Sequence, residues 1–334
     1  MKIVDLFSGL GGLTVGSIEA SKQLNKELEI EFACDINANC AEFYKSNFSK
    51  YLLQYHTGSI LDIEQESVSA SNVDYLFAGP PCQGHSDLNN SSRRSDPRNL
   101  LYLETIKLIN VFNPRTFIIE NVPTVVHAKE GVVLELKKSL SNKYNIKEYI
   151  VDFVKLGIAQ TRKRHILIGS KNMLEDELFE SIYEKFTPKT LKDTIFDLRQ
   201  CENKTLFDTS SAMSKDNIER AKFLIDNEVF DLPNHLRPKC HQGSHSYKSM
   251  YGRLSWEKPS QTITSGFGSM GQGRFLHPAG TRVITPHEAA RIQDLPDWLD
   301  FSMIGKRGEL HKMIGNAVPP KLSQELIIKL EARK

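Results

Sequence analysis

No apolar run in the chain approaches the roughly 18 residues that a bilayer span requires, and Met1-Lys-Ile-Val-Asp-Leu-Phe7 opens as a strand rather than a secretory leader. An intracellular protein without membrane attachment is expected. Cysteine is sparse: Cys34, Cys40, Cys82, Cys201 and Cys240 are odd in number and lack CxxC spacing, which argues against a disulfide framework and a structural zinc site. Cys240-His241 is too little for a metal centre, so no metal is expected. Neither sign of charge dominates, and a net +2 does not by itself declare a polyanionic partner. Nothing repeats, and low complexity is confined to the Gly-rich stretch 266–273.

What is present is alternation. Lys2–Phe7, Ile30–Cys34, Tyr75–Ala78, Thr116–Ile119 and His165–Gly169 read as strands. Between them, Leu13–Gln23, Ala38–Asn47, Leu100–Phe112 and Gly131–Leu140 carry apolar residues at helical spacing, which predicts a doubly wound, Rossmann-like α/β sheet. After about Lys171 the texture becomes polar and irregular, with helices expected near Leu174–Lys185 and Asn217–Asn227, and a domain boundary is placed there. Leu322–Ala332, after Pro319-Pro320, reads as an amphipathic helix. Basic residues cluster at Arg93, Arg94 and Arg98, at Lys155, Arg162, Lys163 and Arg164, and at Arg237, Lys239, Lys248 and Arg253.

Asp5-Leu-Phe-Ser-Gly-Leu-Gly-Gly12 joins the first strand to the first helix, where glycines let backbone amides approach a ligand. A dinucleotide fingerprint needs glycine three residues after Gly11; that position is Thr14, so an adenosyl cofactor fits better than a pyrophosphate. Asp35, past the second strand, is placed to accept from ribose hydroxyls, and Phe7 either packs in the core or covers an adenine face. Gly266-Phe-Gly-Ser-Met-Gly271 also matches the dinucleotide pattern, but Gly273, Pro278 and Gly280 exclude the helix it requires. Cys82, in Gly79-Pro-Pro-Cys-Gln-Gly-His-Ser86 after the apolar run Tyr75–Ala78, is read as a nucleophile at a strand end.

With Gly9-x-Gly-Gly12, Pro81-Cys82-Gln83, Glu120-Asn121-Val122, Gln160-Thr-Arg162-Lys-Arg164 and Gly315-Asn-Ala-Val-Pro-Pro320 in order, the chain resembles the DNA (cytosine-5) methyltransferases. Arg253–Thr264 and Pro286–Gln293 are similar to the family's later blocks. The resemblance implies S-adenosylmethionine as cofactor, with Phe7, Gly9, Leu10, Gly11 and Gly12 around it and Asp35 on the ribose. Ser59, Ile60, Pro80, Asn316 and Val318 would complete the pocket. It also implies a catalytic domain of residues 1–170 plus about 305–334, and a smaller target-recognition domain over about 171–304. Three positions depart from the family: Ser59 where an aspartate is common, His85 for phenylalanine, and Ile36 for an aromatic.

The implied chemistry assigns four roles. Cys82 adds to C6 of cytosine, Glu120 serves N3, Arg164 steadies charge at O2, and Arg162 helps fix the site. The base must first be flipped out of the duplex, and residues 83–98 are expected to close over it. The partners implied are double-stranded DNA and a restriction endonuclease acting separately; the chain itself is expected to be a monomer. An RNA methyltransferase on the same scaffold is the nearest alternative, but its Cys-Phe-Thr signature is absent. A catalytically silent DNA-binding regulator is another, and Cys82, Glu120 and Arg164 argue against it.

Overall fold

The computed structural model describes residues 1–64, 68, 72–81, 101–127, 131–200, 204–242 and 249–332. The chain divides into two units: Met1–Asp152 with Lys163–Phe186 and Val318–Lys334, and Phe153–Arg162 with Thr187–Ala317.

The first unit carries strands β1 (Lys2–Leu6), β2 (Glu29–Asp35), β3 (Tyr55–Thr57), β4 (Tyr75–Ala78), β5 (Thr116–Asn121), β6 (Asn145–Asp152) and β8 (Lys163–Ser170). Its helices are α1 (Gly12–Gln23), α2 (Ala38–Phe48), α3 (Leu101–Phe112), α4 (Val132–Leu140), α5 (Glu180–Tyr183) and α10 (Lys321–Glu331). Among the described residues these strands form one sheet in the order β3-β2-β1-β4-β5-β8-β6. β1 pairs parallel with β2 and β4, and β4 parallel with β5, whereas β8 runs antiparallel to both β5 and β6. This is a Rossmann-like α/β sheet whose chain leaves β1 toward β2 and β3, then returns to β4 on the other side. A ligand crevice is expected at that reversal, beyond the carboxyl ends of β1 and β4.

Burial on both faces explains the central strands. Every residue of β4 and β5 is buried, which suits parallel strands covered by helices. Val4, Leu6, Phe32, Leu76, Phe117 and Ile119 from the sheet pack with Tyr102, Ile109 and Phe112 of α3 and Leu136 and Leu140 of α4. Edge strand β6 is half exposed, Ile150 included.

Several boundaries differ from the sequence-based expectation. β1 stops at Leu6 because Phe7 turns left-handed at φ 54°. β5 and β8 run further than their apolar runs, taking in Glu120, Asn121, Lys163 and Arg164. The helix expected over Leu174–Lys185 reduces to the single turn α5, where Leu178, Phe179 and Ile182 are buried.

The second unit holds β7 (Gln160–Thr161) paired with β9 (Ser260–Gln261), and α6 (Leu191–Ile195), α7 (Lys215–Asp226), α8 (Pro286–Ile292) and α9 (Arg307–Asn316). Gln160 and Gln293, both fully buried, knit it together: Gln160 accepts from the Ile263 amide and donates to Gln293, which donates to the Ile314 carbonyl. Residues 266–271 lead into a short 3-10 turn, Met270–Gln272, not a helix. Gly268 there makes room for the His311 ring, which an added Cβ would meet at 2.0 Å.

Candidate active site

The turn after β1 is held from several directions. The Ser8 amide donates to the Cys34 carbonyl and the Gly11 amide to the Ser8 carbonyl, while the Gly9 amide donates to Asp35 Oδ2 at 2.8 Å. The glycines serve different ends. A Cβ on Gly9 would meet nothing within 4 Å, whereas one on Gly11 would strike the rings of Phe48 and Tyr44, and one on Gly12 would lie 2.0 Å from the Val318 carbonyl oxygen. Gly9 alone of the three therefore has an open face. Leu10 is 1% exposed. Phe7 is half-buried and packs against the same core as Leu6.

Asp35 closes β2. Its Oδ1 accepts from the Asn37 amide at 2.8 Å while Oδ2 serves Gly9, so one carboxylate ties the turn to the start of α2. Burial pushes its carboxyl above the usual range, against the opposing pull of those amides. Beside it Ile36 is 76% exposed, a large apolar side chain left open to solvent. The Ser59 hydroxyl accepts from the Leu61 amide and caps the turn Ile60–Asp62, in which Ile60 is buried.

The other strand ends carry charge. Arg164 Nε lies 2.8 Å from Glu120 Oε1, with both side chains largely buried. The antiparallel register makes the pair: Glu120 stands opposite Ile166, so Arg164, two residues back on β8, projects from the same face. Asn121 Nδ2 donates to the Pro80 carbonyl, tying the end of β5 to the segment that follows β4. Cys82, the expected nucleophile, lies outside the described residues, as do His85 and the expected loop 83–98. Arg162 and Asn316 fall in the second unit: Arg162 is buried next to β7, its carbonyl accepting from the Phe153 amide, and Asn316 is exposed at the end of α9. Val318 belongs to the first unit, against Gly12.

A family model described as C-5 cytosine-specific DNA methylase matches residues 1–332. The chain belongs to this family. Among its relatives, the type II methyltransferase M1.BsuMI of Bacillus subtilis is 40% identical over 98% of this chain and 80% of its own length. M.Sau96I of Staphylococcus aureus is 29% identical over 96% of this chain and 74% of its own. In fold, the chain is similar to the solved Dnmt2 methyltransferase of S. pombe, with a TM-score of 0.70 at 19% identity over 100% and 99% of the two chains. C5 methyltransferases of this family depend on S-adenosylmethionine.

Reasoning from sequence missed the support beneath the turn. Thr14 Oγ1 donates to Asp5 Oδ2 at 2.7 Å and lies 2.5 Å from the Tyr44 hydroxyl, all three buried. Ser8 Oγ and the Tyr55 hydroxyl are 3.1 Å apart, and the rings of Tyr44 and Tyr55 are in tilted contact. The one signal available was Thr14 itself, standing where a dinucleotide site has glycine.

Proposed function

We propose that this chain transfers a methyl group from S-adenosylmethionine to C5 of a flipped-out cytosine within a specific sequence of double-stranded DNA. The Glu120–Arg164 pair carries the reading, because an acid and a guanidinium stand together at the end of the strand beside β4, whose continuation is Pro80-Pro81-Cys82. Cys82 attacks C6 as the thiolate, making C5 nucleophilic. Glu120 serves N3 of the base, Arg164 supports charge at O2, and Arg162 fixes the site; loss of the C5 proton and elimination of Cys82 then free the product.

The residues around the turn suit the cofactor, which when bound supplies an electrophilic methyl. Gly9 leaves room for a ligand, Asp35 presents acceptors for ribose hydroxyls, and exposed Ile36 offers an apolar surface for adenine. Phe7, Leu10, Gly11, Gly12, Ser59, Ile60 and Pro80 shape the same pocket, with Val318 from the chain's last block. Residues of about 171–304 choose the sequence, the catalytic work resting on 1–170 and about 305–334. The enzyme acts as a monomer inside the cell, with a separate endonuclease cutting the unmodified sequence.

Bisulfite sequencing of DNA from cells expressing the chain tests the activity and reports its target. Duplex carrying 5-fluorocytosine at that target should give a denaturant-resistant adduct with the native chain and none with Cys82→Ala. Methylation by Cys82→Ala at the native level would overturn the mechanism.

A further inference from the structure

The core beneath the cofactor turn contains a carboxyl group that the chemistry above does not use. Asp5 lies in the middle of the sheet, 1% exposed, beside Ala33 of β2 and Phe77 of β4. Its hydrogen-bonding partners are hydroxyls. Thr14 Oγ1 donates to Asp5 Oδ2 and lies 2.5 Å from the Tyr44 hydroxyl, which itself stands 3.5 Å from the same carboxyl oxygen. The result is one hydroxyl cluster that joins α2 and α1 to β1. Tyr44 also closes the space beside Gly11, and Thr14 stands in the first turn of the helix that Gly11 and Gly12 open. The hydroxyl cluster therefore ties the first turn of α1, and Gly11 before it, to β1 and α2.

The charged and titratable groups facing Asp5 are Asp35 and Cys34 from β2 and Tyr44 from α2; among the described residues no lysine or arginine pairs with it. We infer that Asp5, Thr14 and Tyr44 are positioning residues for the cofactor turn, and that Asp5 must be neutral for the turn to bind an adenosyl ligand tightly. This rests on the cofactor reading given above. Burial pushes the Asp5 carboxyl up to about 7, with the Asp35 charge adding to it and the Thr14 and Tyr44 hydroxyls pulling the other way. A ligand whose ribose engages Asp35 holds that carboxylate ionised and removes water from around it, so its repulsion of an ionised Asp5 grows. Binding then draws a proton onto Asp5. Affinity accordingly falls as pH rises through the neutral range.

S-adenosylhomocysteine is the suitable probe, because it lacks the sulfonium charge that would oppose this effect. Its dissociation constant should be measured by calorimetry between about pH 6.5 and 8.5, and should weaken about threefold to tenfold across that range with the native chain. Asp5→Asn should flatten the profile. Thr14→Val should weaken binding about fivefold to thirtyfold, and Thr14→Ser, which keeps the hydroxyl, should restore it. A native profile flat over that range, or Thr14→Val binding as well as the native chain, would overturn the inference while leaving the cofactor reading intact. Failure of the native chain to bind the probe at any pH would overturn both. The profile of the native chain needs no variant, so a variant that fails to fold does not protect the idea.

Discussion

Gly9→Ala and Gly12→Ala should fail for opposite reasons, and the difference can be worked from two local environments. At Gly12 an added methyl would lie 2.0 Å from the Val318 carbonyl oxygen, where ordinary contact begins near 3.4 Å. One backbone would have to retreat by about 1.4 Å, and neither α1 nor the segment entering α10 has a side chain to swing aside. The expected loss is about 2–3 kcal/mol, the upper part of the range for overpacking. Gly9 has no neighbour to strike, and only its φ of 54° resists a side chain. Left-handed backbone costs alanine about 1–2 kcal/mol, part of which is returned because alanine also narrows the unfolded ensemble. Gly9→Ala should therefore lose about 1 kcal/mol in urea unfolding, yet bind S-adenosylhomocysteine more than about tenfold more weakly, since its methyl occupies the open face. Native-like stability in Gly12→Ala would refute the packing argument, and native-like binding in Gly9→Ala would refute the assignment of that face to the cofactor.

The Asp5 carboxyl is raised from 3.8 to about 7 in the folded chain, so the folded state binds the extra proton and stability falls as pH rises between those values. Asp5→Asn should gain about 2 kcal/mol on the native chain between about pH 5.5 and about pH 8.5, read from urea midpoints at each pH; an unchanged difference would mean that Asp5 ionises freely. Glu331 on α10 accepts from the Tyr75 hydroxyl at 2.7 Å and pairs with Lys26 and Arg115. Burial works to raise its carboxyl, but those partners outweigh burial and hold it below the usual range. Glu331→Gln should cost about 1–3 kcal/mol near neutral pH, with the difference shrinking as pH falls through the folded value; a neutral effect would count against α10 as an electrostatic clamp. Arg164→Met should lower kcat about a hundredfold or more and also destabilise the chain by leaving the Glu120 charge buried. Adding Glu120→Gln should recover stability without recovering turnover, and recovery of both would argue against Arg164 acting on substrate.

Legibility followed the physics of each segment. β4 and β5 were visible because burial on both faces writes itself as an unbroken apolar run, and α1 and α2 because one buried face writes itself as helical spacing. β3 was not, since Tyr55–Thr57 is too short to set a pattern. Nor was β6, whose half-exposed face mixes Lys147 and Glu148 into the strand. Direction reverses at β8, which lies antiparallel between β5 and β6, and no alternation of strand and helix specifies direction. The same limit governs the site. Glycines, Asp35 and the two charged blocks could be read as local patterns, but the contact of Arg164 with Glu120 comes from strand register. The Asp5–Thr14–Tyr44 chain joins residues of a strand and two helices, and hydroxyl groups leave no periodicity by which to find one another.

Two carboxyl groups under one turn are given different surroundings, and that difference separates their tasks. Asp35 receives backbone amides from Gly9 and Asn37. Fixed N–H dipoles favour a charged acceptor, which is the form that best holds ribose hydroxyls. Asp5 receives only hydroxyl donors inside the sheet, and these give a charge far less support. Were both ionised, each would raise the cost of the other in surroundings that are largely buried. A neutral Asp5 lets Asp35 keep its charge, much as paired acids elsewhere divide roles by environment. The turn is anchored from outside as well, by Ser323 donating to the Leu13 carbonyl and by the close approach of Val318 to Gly12. The start of α1 is therefore held by groups near both ends of the chain.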